Sequence, residues 1–230
     1  MPLERRTSSP GNLRYGYSGQ TLTRDQTRGV FGQVMGLVAF TAAFAALGAY
    51  VGRDLSGGSA IFFFLGAFAC IFGLQFATRA GREQLAIALL FGVGLLLGLA
   101  VAPVLAVYAK ADPGALYQAS GSTALFVGGL GAYGYATRRD LSSWVRTLFW
   151  ALLALIVLGL VLTFVAIPGG NVIYSVLGLA LFGAFTVFDF NRLRRASMGS
   201  AVPIAASIFL DIFNVFLFFL SLFGGGGNRR

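Results

Sequence analysis

Of the eight acidic residues in this 230-residue chain, six fall in polar tails or connectors and two do not. Glu4, Asp25, Asp54, Glu83, Asp112 and Asp140 occupy segments where water solvates a carboxylate. Asp189 lies within the run LFGAFTVFDFN (181–191), and Asp211 within AASIFLDIFN (205–214). An ionised carboxylate at mid-membrane costs roughly 2.5–3.5 kcal/mol on insertion scales. If these runs cross a bilayer, both acids have to be protonated, paired or wetted.

Their depths match. With a sixth helix ending near Arg195, Asp189 sits ~9 Å above that end, and counting up from Pro203 places Asp211 ~12 Å into a seventh helix. Consecutive antiparallel helices joined by a short loop are usually neighbours, so the two carboxyl groups can meet. At hydrogen-bond distance they resist double ionisation and titrate as a unit. That arrangement would be a proton sensor and gate. A plainer reading stands beside it: Arg192 follows Asp189 at i+3 and Asn214 follows Asp211 at i+3, spacings that permit a local ion pair and a local polar contact. The histidine count of zero removes the usual pH switch, along with any imidazole metal ligand or Ser-His dyad. A sensor in this chain has to be a carboxylate.

The elements that position the pair follow from composition. Hydrophobic residues make up 57% and charged residues 11% of the chain, against about 25% charged in an ordinary soluble domain. Apolar runs near 31–51, 59–77, 85–108, 116–136, 145–167, 171–191 and 203–223 are each long enough to span a bilayer as a helix. The expected fold is an all-α membrane protein, a seven-transmembrane-helix bundle over 31–223, preceded by a polar basic cytoplasmic tail over 1–30 and followed by a flexible tail over 224–230. A six-span version that loses one weak run is the rival. Asp112-Pro113-Gly114 and Pro168-Gly169-Gly170 punctuate the connectors, the latter as a tight hairpin.

Basic residues set the orientation, because Lys and Arg near span ends favour the cytoplasm. Thirteen of the seventeen fall in the N-terminal tail and the even-numbered loops: Arg5, Arg6, Arg14, Arg24, Arg28, Arg79, Arg82, Arg138, Arg139, Arg146, Arg192, Arg194 and Arg195. Only Arg53, Lys110, Arg229 and Arg230 lie on the other side. The N-terminus is therefore expected inside and the C-terminus outside. Because the positive charge is divided among loops and forms no stripe, nucleic acid is not an expected partner.

Other chemistries drop out. Cys70 is the lone cysteine and sits in an apolar run, so it reads as a small hydrophobe. The first 30 residues are too polar, and the run after them too long, for a cleaved signal peptide. The Gly129-Gly131-Gly134 spacing has no preceding soluble strand and no acid about 20 residues on, so it is no dinucleotide fingerprint. Gly32/Gly36 and Gly94/Gly98 are spaced for close helix approach, read as packing within the chain. Lys110, the only lysine, lies in a loop, which excludes a retinal Schiff base in the last helix. Neither aspartate has the sequence context of an aspartyl intramembrane protease, and no enzymatic activity or cofactor is expected.

The segments Gly121–Phe126 with Tyr133–Ser142, Tyr174–Gly178 with Val187–Asn191, and Phe209–Phe216 resemble the Bax inhibitor-1 family, the transmembrane Bax inhibitor motif proteins. The resemblance covers the C-terminal half best; the first three spans match in length and hydropathy. It implies a seven-helix bundle with the seventh helix central, and a pH-dependent calcium leak in some members. The family's di-aspartyl sensor falls on Asp189 and Asp211, and Arg79 stands where members use an arginine to latch the pair. Phe190 follows Asp189 where a smaller or polar residue is frequent.

The leading expectation is a pH-sensitive calcium or other cation leak channel, with Asn191 and Asn214 as polar lining. Calcium takes six to eight oxygen ligands, so Asp189 and Asp211 would hold it weakly and in transit. Calcium ions, protons and the lipid bilayer are the expected partners. The alternatives are a non-channel regulator of stress responses or membrane proteases, and a proton-coupled cation antiporter. Arginine far outnumbers lysine and no organellar transit pattern is present, which points to a prokaryotic plasma membrane.

Overall fold

A computed structural model describes residues 24–55 and 57–225. The N-terminal residues 1–23 and the terminal 226–230, which hold most of the two expected tails, lie outside the described residues. Seven long helices succeed one another in chain order: α1 Arg24–Val51, α2 Ala60–Arg79, α3 Glu83–Ala111, α4 Pro113–Ala136, α5 Trp144–Phe164, α6 Gly170–Leu193 and α7 Ala201–Gly224. No strand occurs among the described residues. Helices are the structure that apolar runs of this length must form where no water is present to satisfy the backbone.

The stops obey local chemistry. Pro113 opens α4 at its first turn, where a missing N–H costs nothing, and the Asp112 carboxylate accepts from the Ala115 amide at 3.1 Å. Gly81 and Gly169 carry φ of +68° and +74° and turn the chain after α2 and before α6. α1 begins at Arg24, inside the segment expected to be tail, and α5 ends at Phe164, three residues before the apolar run does.

Among the described residues six helices, α1, α2, α3, α5, α6 and α7, are long and apolar enough to cross a membrane. α4 has the length but interrupts its apolar residues with Gln118, Ser120, Ser122, Thr123 and several glycines. Its buried positions Ala115, Ala119, Thr123, Val127, Gly131 and Gly134 form one small-residue stripe, turned toward α6 and α7, the helices it packs against most extensively. Where α4 crosses α6, a Cβ at Gly134 would collide with the Val187 carbonyl. α7 lies in the middle of the bundle, packed against α1, α2, α3, α4 and α6.

Large apolar side chains point outward. Phe62, Phe68, Phe72 and Phe76 on α2 and Trp150, Ile156, Leu160 and Phe164 on α5 are all exposed. Exposed apolar surface on this scale suits hydrocarbon and not water.

Candidate functional site

The buried polar side chains of the bundle are Thr41, Thr123, Ser175, Thr186, Asp189, Asn191 and Asp211. The three threonines donate to carbonyls one turn back on their own helices, at 2.7–2.8 Å, and ask nothing of the fold. The remaining four are on α6 and α7. Ser175 pairs with Ser221 at 3.0 Å.

On α6 the inward stripe runs Ser175, Gly178, Phe182, Thr186, Asp189, Leu193; on α7 it runs Ala201, Ile204, Ile208, Asp211, Val215, Phe218. Both keep the three-or-four-residue repeat of one helical face. Each aspartate thus replaces a core residue, and each is only 4% exposed. Their carboxyl groups are hydrogen-bonded to one another. Two carboxylates offer only acceptors, so that bond requires a proton on one of them. Ser207, one turn before Asp211, donates a further hydrogen bond to Asp189. Asp211 Oδ2 is enclosed with no hydrogen-bonding partner. The arrangement can hold one proton between two helices and exchange it for negative charge.

The other expected contributors are placed differently. Arg79, the last residue of α2, is exposed and makes no hydrogen bond or ion pair to either aspartate among the described residues. Nothing in sequence spacing fixes the direction of a terminal side chain, and α2 ends with this one turned out. Arg192 is instead the cation whose charge acts on Asp189. It does so without a salt bridge, because the ion pairs among the described residues are Arg53–Asp54 and Arg195–Asp140. Asn214 donates to the Leu210 carbonyl at 2.7 Å and so turns back on its own helix.

Asn191 belongs to the last turn of α6. It is fully buried, and its Nδ2 donates to Thr137 O at 2.8 Å, Arg139 O at 3.2 Å and Gly134 O at 3.4 Å. These are carbonyls at and just beyond the end of α4, which the helix itself leaves unsatisfied. Asn191 Oδ1 accepts from Arg195 Nη2 at 2.5 Å, and Arg195 Nη1 reaches Asp140 at 2.9 Å. The Ser142 hydroxyl and amide, and then the Arg195 guanidinium, hold the Asp140 carboxyl down at about 2. The end of α6, two residues past the aspartate pair, is thereby tied to the α4–α5 connection. Ser207 and this Asn191–Arg195–Asp140 chain escaped the sequence reading. The only available signals were the i−4 spacing of Ser207 from Asp211 and the i+4 spacing of Arg195 from Asn191.

Among the described residues no three His, Cys, Asp or Glu side chains gather as a metal site. The aspartate pair is therefore a two-carboxyl site.

The profile of the family described as "Inhibitor of apoptosis-promoting Bax1" matches residues 27–229. A Helicobacter pylori protein is 31% identical over 163 residues, which cover 70% of this chain and 70% of that protein. A Vibrio cholerae protein named as a membrane protein is 31% identical over 131 residues, 56% of this chain and 59% of its own length. The Escherichia coli inner membrane protein YbhL is 28% identical over 148 residues, 59% and 60% of the two chains. The match runs across all seven helices and takes in both buried aspartates, and this multi-pass membrane protein belongs to the Bax inhibitor-1 family.

Proposed function

We propose that the chain forms a pH-gated leak pathway for calcium or a similar cation, with Asp189 and Asp211 as its proton-sensitive element. The observation that carries the reading is the pair itself: two carboxyl groups, each 4% exposed, hydrogen-bonded between the inward stripes of α6 and α7. Buried ionisable groups within a membrane are expensive and mark ion or proton pathways. With a shared proton the two helices are latched. Loss of that proton breaks the bond and leaves negative charge that repels within the pair and attracts a cation, so flux rises as pH rises.

The pair offers few oxygens, and Asn191 is committed to α4, which leaves Asp189, Asp211 and nearby carbonyls for a passing ion. Such a partial shell favours transit over storage. Arg79 has no contact in this reading. The chain would sit in a prokaryotic plasma membrane with seven spans, the N-terminus inside and the C-terminus outside. Tags at the two ends on opposite faces of the membrane support that count, and tags on the same face remove it.

The test is calcium uptake into proteoliposomes of purified protein across a pH series. The wild type is expected to conduct more at higher pH, and Asp189→Asn and Asp211→Asn are each expected to flatten that dependence. An unchanged pH profile in both variants would make the acids structural. Absence of flux at every pH would favour a membrane regulator, and flux that requires an opposing proton gradient would favour an antiporter.

A further inference from the structure

Where the end of α6 meets the beginnings of α5 and α7, a cavity of about 600 Å3 opens at the surface, with Arg192, Arg195, Ser197 and Ser200 in its polar lining and Phe188 and Ile204 in its apolar lining. The helix ends and connections that frame it carry Arg138, Arg139, Arg146, Arg192, Arg194 and Arg195 against a single acid, Asp140. That acid is already bound to Arg195 and Ser142. Arg192 is exposed and has no hydrogen bond or ion pair among the described residues. The cavity thus presents one unpaired guanidinium, a second shared one, and the Ser197 hydroxyl, the Ser200 hydroxyl donating to the Ser197 carbonyl at 2.8 Å. A smaller cavity at the ends of α2 and α3, about 200 Å3, carries Glu83 and no basic residue in its lining.

Guanidinium and hydroxyl groups together recognise phosphate oxygens. Free phosphate would use only those groups and leave Phe188 and the exposed Val145 of the same lining unused. A phosphate attached to hydrocarbon uses both halves of the lining. The position fits as well, because the cavity lies where the helices end and their arginines gather, the depth at which basic pockets between membrane helices meet lipid headgroups.

We propose that this cavity is a binding site for the headgroup phosphate of an anionic phospholipid, with Arg192 as the principal contact and Phe188 and Val145 against the upper part of the lipid's hydrocarbon. The site holds whether or not the chain is a channel, although Arg192 also acts through its charge on Asp189. Arg195 supports it from behind, since its guanidinium is fixed by Asn191 and Asp140.

The experiment is native mass spectrometry of the full-length protein in neutral detergent, titrated separately with phosphatidylglycerol and phosphatidylcholine. Phosphatidylglycerol is expected to be retained preferentially. Arg192→Gln should weaken its binding about fivefold, the factor one interfacial guanidinium contributes at a membrane surface. Arg192→Lys should retain most of the affinity. Arg82→Gln removes an equal charge from the α2–α3 turn and should leave binding unchanged. Equal weakening by Arg82→Gln and Arg192→Gln would mean diffuse attraction and overturn the site, as would unchanged binding in Arg192→Gln. Displacement of the lipid by millimolar inorganic phosphate would overturn the lipid assignment in favour of a soluble anion.

Discussion

The two halves of the bundle are held together by different means. Between α1 and α3 the contact is backbone on backbone: Gly94 and Gly98 face the Thr41 and Ala45 carbonyls so closely that a Cβ at either would collide with them. No polar side chain crosses this seam in a hydrogen bond among the described residues. Around α4, α6 and α7 the contact is polar, through the aspartate pair, the Ser175–Ser221 bond and the Asn191 clamp. The first half is specified by shape alone and the second adds hydrogen-bond valence to a close glycine approach at Gly134, so substitutions and pH should separate them.

The largest expected effect is on shape. Gly98→Val should separate α1 from α3 and destabilise the protein by about 3 kcal/mol, at the upper end of the usual cost of overpacking. Thermal unfolding in detergent reads this, and the loss should be the same at pH 5 and pH 8. The paired spacing Gly32/Gly36 has open space at both positions, so Gly32→Ala should be nearly silent. A large loss there would show that α1 has a second close neighbour.

Next in size is the clamp. Asn191→Leu preserves volume roughly but strands α4's last carbonyls and should cost about 2 kcal/mol, the range for buried groups left unsatisfied. Hydrogen exchange is expected to rise through 134–142, at the end of α4, while the α1–α3 seam stays protected. Uniform loss of protection across the bundle would erase the distinction between the halves.

The smallest effect belongs to the exposed Asp140–Arg195 tether. The Ser142 and Arg195 hydrogen bonds hold the carboxyl at about 2 against an ordinary value of 3.8. A depressed acid contributes stability that is complete above its unfolded value and is lost as pH falls through 3.8 toward about 2. Asp140→Asn should therefore loosen the loop at neutral pH and make much less difference at pH 2. Limited proteolysis of the α4–α5 connection at the two pH values checks both statements.

How far the sequence reaches also differs between the halves. Helix positions were legible because a run of some twenty apolar residues in a membrane has few other structures open to it. α4 was the weak point, since Thr123, Gly131 and Gly134 on its buried stripe are placed for α6 and α7 and not for hydropathy. Asp189 and Asp211 stood out because a carboxylate in such runs is costly. Asn191 was visible as a residue but not as a clamp, because its partners are backbone carbonyls more than fifty residues away, and carbonyls leave no mark in a sequence. Ser207 was hidden for the opposite reason: a serine within a span is too common to signal a partner. Arg79 was placed by its position along the helix, whereas contact depends on the direction around it.

The polar character of α4 bears on how the protein is made. Ribosomal synthesis delivers α4 to the membrane before α6 and α7, the helices that cover its small-residue stripe, have been translated. During that interval α4 has no strong hydrocarbon affinity of its own and only a limited contact with α3 to retain it. Its settled position should therefore be acquired late and depend on the helices translated after it. A nascent chain stalled after α5 should leave α4 accessible to aqueous labelling reagents, and extension through α7 should protect it.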